Sequence, residues 1–129
     1  MPFGNEIPGD VLRFIGENID DVPQLETLLM MSGMPERAWQ VNEVAARNYV
    51  SEQRAAAVLE ALRRRGLVSS DETLGRFRFG PVPPETRALV AQVSEVYQAN
   101  LSRIATLIHS RPSASIKEFA RAFDLKKEK

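Results

Sequence analysis

Apolar residues recur along this chain mostly at helical spacing, and in one stretch they alternate. Val11, Phe14, Ile15 and Ile19 follow three- and four-residue steps, which predicts a short amphipathic helix from Asp10 to Asn18. Asp20 or Asp21 then stands where a cap for a second helix belongs, with Pro23 tolerated in its first turn. Leu25, Leu28 and Leu29 give that helix its buried face, Met30, Met31 and Met34 extend it, and Ser32-Gly33-Met34-Pro35 ends it. The three methionines read first as core filling, and as a ligand-binding surface only in a sharper reading. A short strand at Trp39–Val41 follows, with Trp39 expected to anchor the core. Asn42 is placed to cap a short helix over Glu43 to Arg47. Ser51 is placed to cap another, and the run from Glu52 to Arg65 holds neither Gly nor Pro. Ala55, Val58, Leu59 and Leu62 make one face of it apolar. Arg63 to Arg65 fall in its last turn, where positive charge complements the helix dipole, and Gly66 follows as a stop. Leu67-Val68 leads into Arg76-Phe77-Arg78-Phe79, whose alternation puts both Phe inward and both Arg outward.

Past that hairpin, Pro81, Pro83 and Pro84 form a rigid connection and launch a helix from Glu85 to about His109. Its apolar stripe, Leu89 to Ile108, persists for about six turns, more than a small domain covers, so part of it is expected to face a second subunit. Arg111-Pro112 breaks the pattern, and Ser115-Ile116-Lys117-Glu118 is a capping-box signature for a last helix carrying Ile116, Phe119, Ala120 and Phe123 on one face.

The segment from Trp39 to Phe79 resembles the winged helix-turn-helix superfamily, in particular bacterial MarR-like and ArsR-like regulators. The resemblance rests on Val44-Ala45, Val50-Ser51, Ala55, Leu59 and Leu62, the Arg65-Gly66-Leu67-Val68 exit and the Arg76-Phe77-Arg78 return strand. It implies a mainly α fold with a small β-hairpin and flanking helices. An arm and short helix would occupy 1–20, the winged-helix core 21–80, and C-terminal helices suited to dimerisation 81–129. One departure is Asn48, where the family has an apolar residue; Tyr49 is expected to fill that space.

Composition narrows the chemistry. The chain has 129 residues, 43% hydrophobic and 26% charged, ordinary for one soluble globular domain. It has no cysteine and a single histidine, His109, so thiolate chemistry and multi-histidine metal sites drop out. No catalytic residue, metal ligand or cofactor is expected. Asp20-Asp21 reads as a helix start rather than an acid–base pair, and the glycines of Gly75–Gly80 bracket a strand rather than open a helix around a phosphate. No run approaches membrane-span length, and the first residues lack the basic-then-apolar order of a leader, so a cytoplasmic bacterial-type protein is the expectation. The formal net charge is zero, but residues 1–36 hold seven acids against Arg13 alone, while residues 37–78 hold eight arginines against five acids.

The resemblance implies a DNA-binding transcriptional regulator, a homodimer, with a recognition helix at about 51–65 and a wing at about 67–79. Gln53 suits adenine, Arg54 guanine or phosphate, and Ala57 a thymine methyl. Arg76 and Arg78 on the wing, and Arg47 at the end of the preceding helix, suit phosphates, and Ser51 opens the recognition helix. Glu52 and Glu60 on the same face oppose a polyanion. The alternative is therefore a protein-interaction or assembly module without DNA binding, docking through Ala56-Ala57 or through Phe119 and Phe123.

Overall fold

Six helices and three short strands follow one another along residues 7–71 and 75–110, the part of the chain that the computed structural model describes. In order they are α1 (Gly9–Asn18), α2 (Val22–Ser32), β1 (Trp39–Gln40), α3 (Val41–Asn48), α4 (Glu52–Arg64), β2 (Val68–Asp71), β3 (Arg76–Phe79), α5 (Pro84–Ala99) and α6 (Leu101–Ser110). The fold is mainly helical with one small antiparallel sheet of order β1-β3-β2. None of the described helices is long and apolar enough to cross a membrane. The second predicted C-terminal helix, with Ile116, Phe119 and Phe123, lies outside the described residues.

The chain divides into two compact units. One runs from Pro23 to Arg87; the other joins the chain up to Val22 with the chain from Ala88 onward, so the boundary falls within the first turn of α5. In the second unit Val11, Phe14, Ile15 and Ile19 are buried, as the sequence spacing requires, together with Val90, Val93, Tyr97, Ile104 and Ile108.

The continuous helix expected from Glu85 to His109 is instead two, parted at Asn100. The Asn100 side-chain amide donates to the Val96 carbonyl at 2.9 Å, and its backbone N–H turns to Tyr97 at 3.0 Å rather than to the carbonyl four residues back. Asparagine competes with the backbone for its own carbonyls, which is why it sits at helix ends more comfortably than within them. An apolar period alone did not register that interruption.

In the unit from Pro23 to Arg87 the core is built from Leu25, Leu28, Met31, Trp39, Val44, Ala55, Leu59 and Leu62, each at most 1% exposed. Burial of a Leu or Met side chain is worth about 1.5–3 kcal/mol. Of Met30, Met31 and Met34 only Met31 is fully in the core; Met30 is half-buried and Met34 is exposed. The α4 boundaries follow the sequence closely. Ser51 Oγ accepts from the Arg54 N–H at 3.0 Å, and the far end closes with Gly66 N–H to Arg63 O at 3.0 Å and Leu67 N–H to Leu62 O at 3.0 Å. That pair of bonds is a Schellman cap, and Gly66 sits at φ 77°, a conformation costly for any residue with a Cβ.

Three local expectations are corrected at α3. Its N-cap is Gln40, not Asn42, which lies inside the helix; the Glu43 carboxylate reaches back to the Gln40 N–H at 2.9 Å. Glutamate three residues after the cap satisfies a donor that Asn42 cannot reach. Val41, expected in the strand, is accordingly the first helical residue. Tyr49 does not fill the space beside Asn48: it is 94% exposed. Asn48 fills it directly, donating to Thr27 Oγ1 on α2 at 2.8 Å, so a hydrogen bond replaces the apolar contact expected there.

Candidate functional site

The strand register decides which way the arginines of β3 face. Trp39 pairs with Phe77 and Gln40 with Arg76; on the other side Val68 pairs with Phe79, Ser69 with Arg78 and Asp71 with Arg76. Phe79 is buried and Phe77 half-buried, while Arg76 and Arg78 are exposed on the opposite face, as the alternation predicts. Those two arginines, Ser69, Ser70 and Asp71 line a shallow polar groove on the outer side of the sheet. Asp71, directly across from Arg76, offsets part of that positive charge. At the other end of β3, the Arg87 guanidinium lies 5.9 Å from the Phe79 ring.

The outward face of α4 carries Gln53, Arg54, Ala56 and Ala57, all exposed, with Glu52 at its first turn. Gln53 and Ala57 stand one helical turn apart on one stripe, so a partner along α4 meets an amide and a methyl group together. Ser51, expected among the contacts, accepts a capping bond from the Arg54 N–H; its hydroxyl hydrogen is left for an outside acceptor.

Glu60, expected to oppose a polyanion, is paired within its own helix. Its carboxylate takes both Nε and Nη2 of Arg63, at 2.9 and 2.6 Å, and Arg64 Nε stands at 3.6 Å. The Arg63 hydrogen bond, with the nearby Arg64 charge, holds the Glu60 carboxyl below its ordinary range. The end of α4 is therefore a cluster with net positive charge, and Glu60 is not a lone anion on that face.

A second constellation was not anticipated. Trp39 is completely buried, and the Arg37 guanidinium stacks 3.7 Å from its ring centroid, with Arg47 at 5.3 Å. Arg37 also pairs with Glu43 at 3.6 Å, so Glu43 serves the α3 cap and Arg37 together. The indole Nε1–H is buried without a hydrogen-bond partner among the described residues. Trp39 is thus the core anchor the sequence implied. Its ring is covered by two arginines ten positions apart, a juxtaposition invisible in linear spacing.

Beside this pair stands Tyr49, the C-cap of α3, at φ 57° and ψ 44°. Its N–H and that of Val50 both bond to the Ala45 carbonyl, so the left-handed turn is fixed by the backbone. A non-glycine residue there costs about 1–2 kcal/mol. Glycine or asparagine would be the expected signal, and neither occupies position 49, so nothing local announces the turn. Arg37, Trp39, Glu43, Ala46, Arg47 and Tyr49 line one open groove.

Of the residues expected at the site, then, Gln53, Arg54 and Ala57 share the exposed face of α4, with Ser51 at its cap; Arg76 and Arg78 share the sheet groove; and Arg47 joins Arg37 and Tyr49. Among the described residues no group of three His, Asp or Glu side chains is placed to hold a metal ion. Compared with protein-family models, with curated proteins and with solved structures, the chain matches none.

Proposed function

We propose that residues 23–87 form a winged helix-turn-helix that binds DNA and that the chain acts as a transcriptional regulator. In this reading α3 and α4 are the helix-turn-helix, α4 enters the major groove, and the β2–β3 hairpin is the wing. One observation carries it. On α4 and on β3 the apolar residues turn inward, so that Gln53, Arg54 and Ala57 on one element, and Arg76 and Arg78 on the other, lie exposed on the outward face. Gln53 reads adenine, Arg54 guanine or phosphate, and Ala57 a thymine methyl. The hairpin arginines and Arg47 take phosphates. The engagement of Glu60 by Arg63 and Arg64 supports the same reading, because two guanidiniums offset one of the two acids, Glu52 and Glu60, that oppose a polyanion.

A homodimer belongs to this proposal. Leu101 is 52% exposed, and Leu89, Val96 and Leu107 remain half-buried along α5 and α6, leaving apolar surface for a second copy. Two copies read two half-sites one helical turn apart.

Selection from a genomic-fragment pool tests the function directly. Enrichment of a sequence is expected, with affinity falling as salt rises because phosphate contacts release counterions. Arg76→Ala with Arg78→Ala weakens binding to all sequences alike and lowers the salt slope by about two. Gln53→Ala relaxes specificity at one position, at about 1–3 kcal/mol for a bidentate base contact. A pool that yields no enriched sequence, with no duplex affinity left at physiological salt, overturns the proposal in favour of a protein-interaction module.

A further inference from the structure

The groove beside Trp39 has no part in the α4 and hairpin contacts above, apart from Arg47, and three of its features converge. First, its charges are unequal. Glu43 is occupied by Arg37 and by the Gln40 N–H, whereas Arg47 forms no ion pair among the described residues. The groove therefore keeps an uncompensated guanidinium. Second, Tyr49 is 94% exposed and makes no packing contribution, so its phenol stands open to solvent in the groove that Arg47 also lines. A large aromatic residue held in the left-handed region with no structural use for its ring is a local cost without a local return, the kind of outlier that accompanies binding. Third, Tyr49 lies two residues before the Ser51 cap of α4, at the end of that helix which carries the base-reading residues Gln53 and Arg54.

We infer that the Arg47–Tyr49 groove binds one phosphate of the DNA backbone, with the Tyr49 hydroxyl and the Arg47 guanidinium both donating to it. This rests on the DNA-binding reading and extends the interface past the start of α4. Arg37 is a positioning residue: stacked on Trp39 and paired with Glu43, it holds Glu43 away from the phosphate. An arginine and a phenol donating to one phosphate give orientation without sequence preference, so the groove sets the register of α4 while Gln53 and Arg54 read bases.

Trp39 is the single tryptophan of the chain and lies under Arg47, so its emission reports on the groove. The test titrates the full chain with a dye-labelled random-sequence duplex at low salt, following dye anisotropy and Trp39 emission together. The wild type is expected to change both in parallel. Tyr49→Phe keeps the ring and removes one hydrogen bond to a charged acceptor, so it is expected to weaken binding about tenfold while leaving the free protein's emission unchanged. Arg47→Ala is expected to lower the salt slope by about one. Inorganic phosphate alone, at concentrations matching the duplex phosphates, is expected to leave Trp39 emission unchanged. A wild type that binds duplex equally well with Tyr49→Phe and with Arg47→Ala overturns this inference and spares the DNA reading. An emission change saturated by inorganic phosphate alone reassigns the groove to a small anion and overturns it too. A wild type without duplex affinity overturns both.

Discussion

Exchanging Asn48 and Thr27, singly and together, tests how the first two helices of the Pro23–Arg87 unit are joined. Thr27 is 2% exposed on α2, Asn48 is half-buried at the end of α3, and their side chains meet at 2.8 Å. Asn48→Ala removes the donor and leaves the Thr27 hydroxyl in a site that water barely reaches, so the desolvation of that group is no longer offset. A cost of about 1–3 kcal/mol follows for the orphaned group, tempered because a buried threonine hydroxyl can turn to its own helix carbonyl. Thr27→Val keeps the shape and deletes the acceptor. The Asn48 amide it orphans is half-exposed and finds water, so about 0.5–1.5 kcal/mol is expected. Asn48→Leu with Thr27→Val replaces both partners by apolar groups, and the loss is then smaller than the sum of the two single changes by about 0.5–1.5 kcal/mol. Urea unfolding followed by Trp39 emission measures all three. With a slope of about 1–3 kcal/mol per molar urea, the Asn48→Ala midpoint falls by about 1 M. Losses that add to within about 0.5 kcal/mol would show that the two side chains do not act as a pair, and the account of Asn48 would fail.

Two further outcomes follow from single residues. Tyr49→Asn places a residue tolerant of the left-handed region at φ 57°, so thermal unfolding should show unchanged or raised stability, by up to about 1 kcal/mol, while duplex binding weakens. A destabilised Tyr49→Asn protein would mean that the ring is held by packing after all. For Glu60, the Arg63 bond lowers the carboxyl's folded-state pKa, so its contribution is present above the unfolded value and is lost as pH falls through the folded one. A carboxyl titration followed by NMR should place Glu60 below its ordinary range in the wild type and return it towards that range in Arg63→Gln; an unmoved midpoint would refute the bond.

Much of this arrangement was legible in the residues because local physics enforces it. Ser51 and Gly66 bracket α4 through one side-chain acceptor and one positive φ, both fixed by residue type, so the helix ends where the sequence says. The alternation in Arg76-Phe77-Arg78-Phe79 sorts its faces for the same reason: a period of two has only two solutions, and one of them buries arginine. The mainly α character with a small sheet follows from such local rules. What they could not supply was the outcome where local options compete, or any relation between residues far apart in sequence. The cap of α3 went to Gln40 rather than Asn42 because Glu43 and the strand pairing of Trp39–Gln40 compete for the same few residues. Asn48 was expected to leave a gap that Tyr49 would fill, because nothing near position 48 reveals a threonine hydroxyl on α2 within 2.8 Å. The break at Asn100 was masked by an apolar period that runs through both helices and is indifferent to one side chain turning back on its own backbone. The cluster of Arg37, Trp39, Arg47 and Tyr49 belongs to the same class. Each residue looks ordinary alone, and only the folding of β1 against β3, followed at once by α3, sets two guanidiniums over one indole and leaves a tyrosine in open solvent beside them. Periodicity and capping are properties of a segment and can be read from it, whereas a site is a meeting of segments and exists only once tertiary packing has chosen which of them meet.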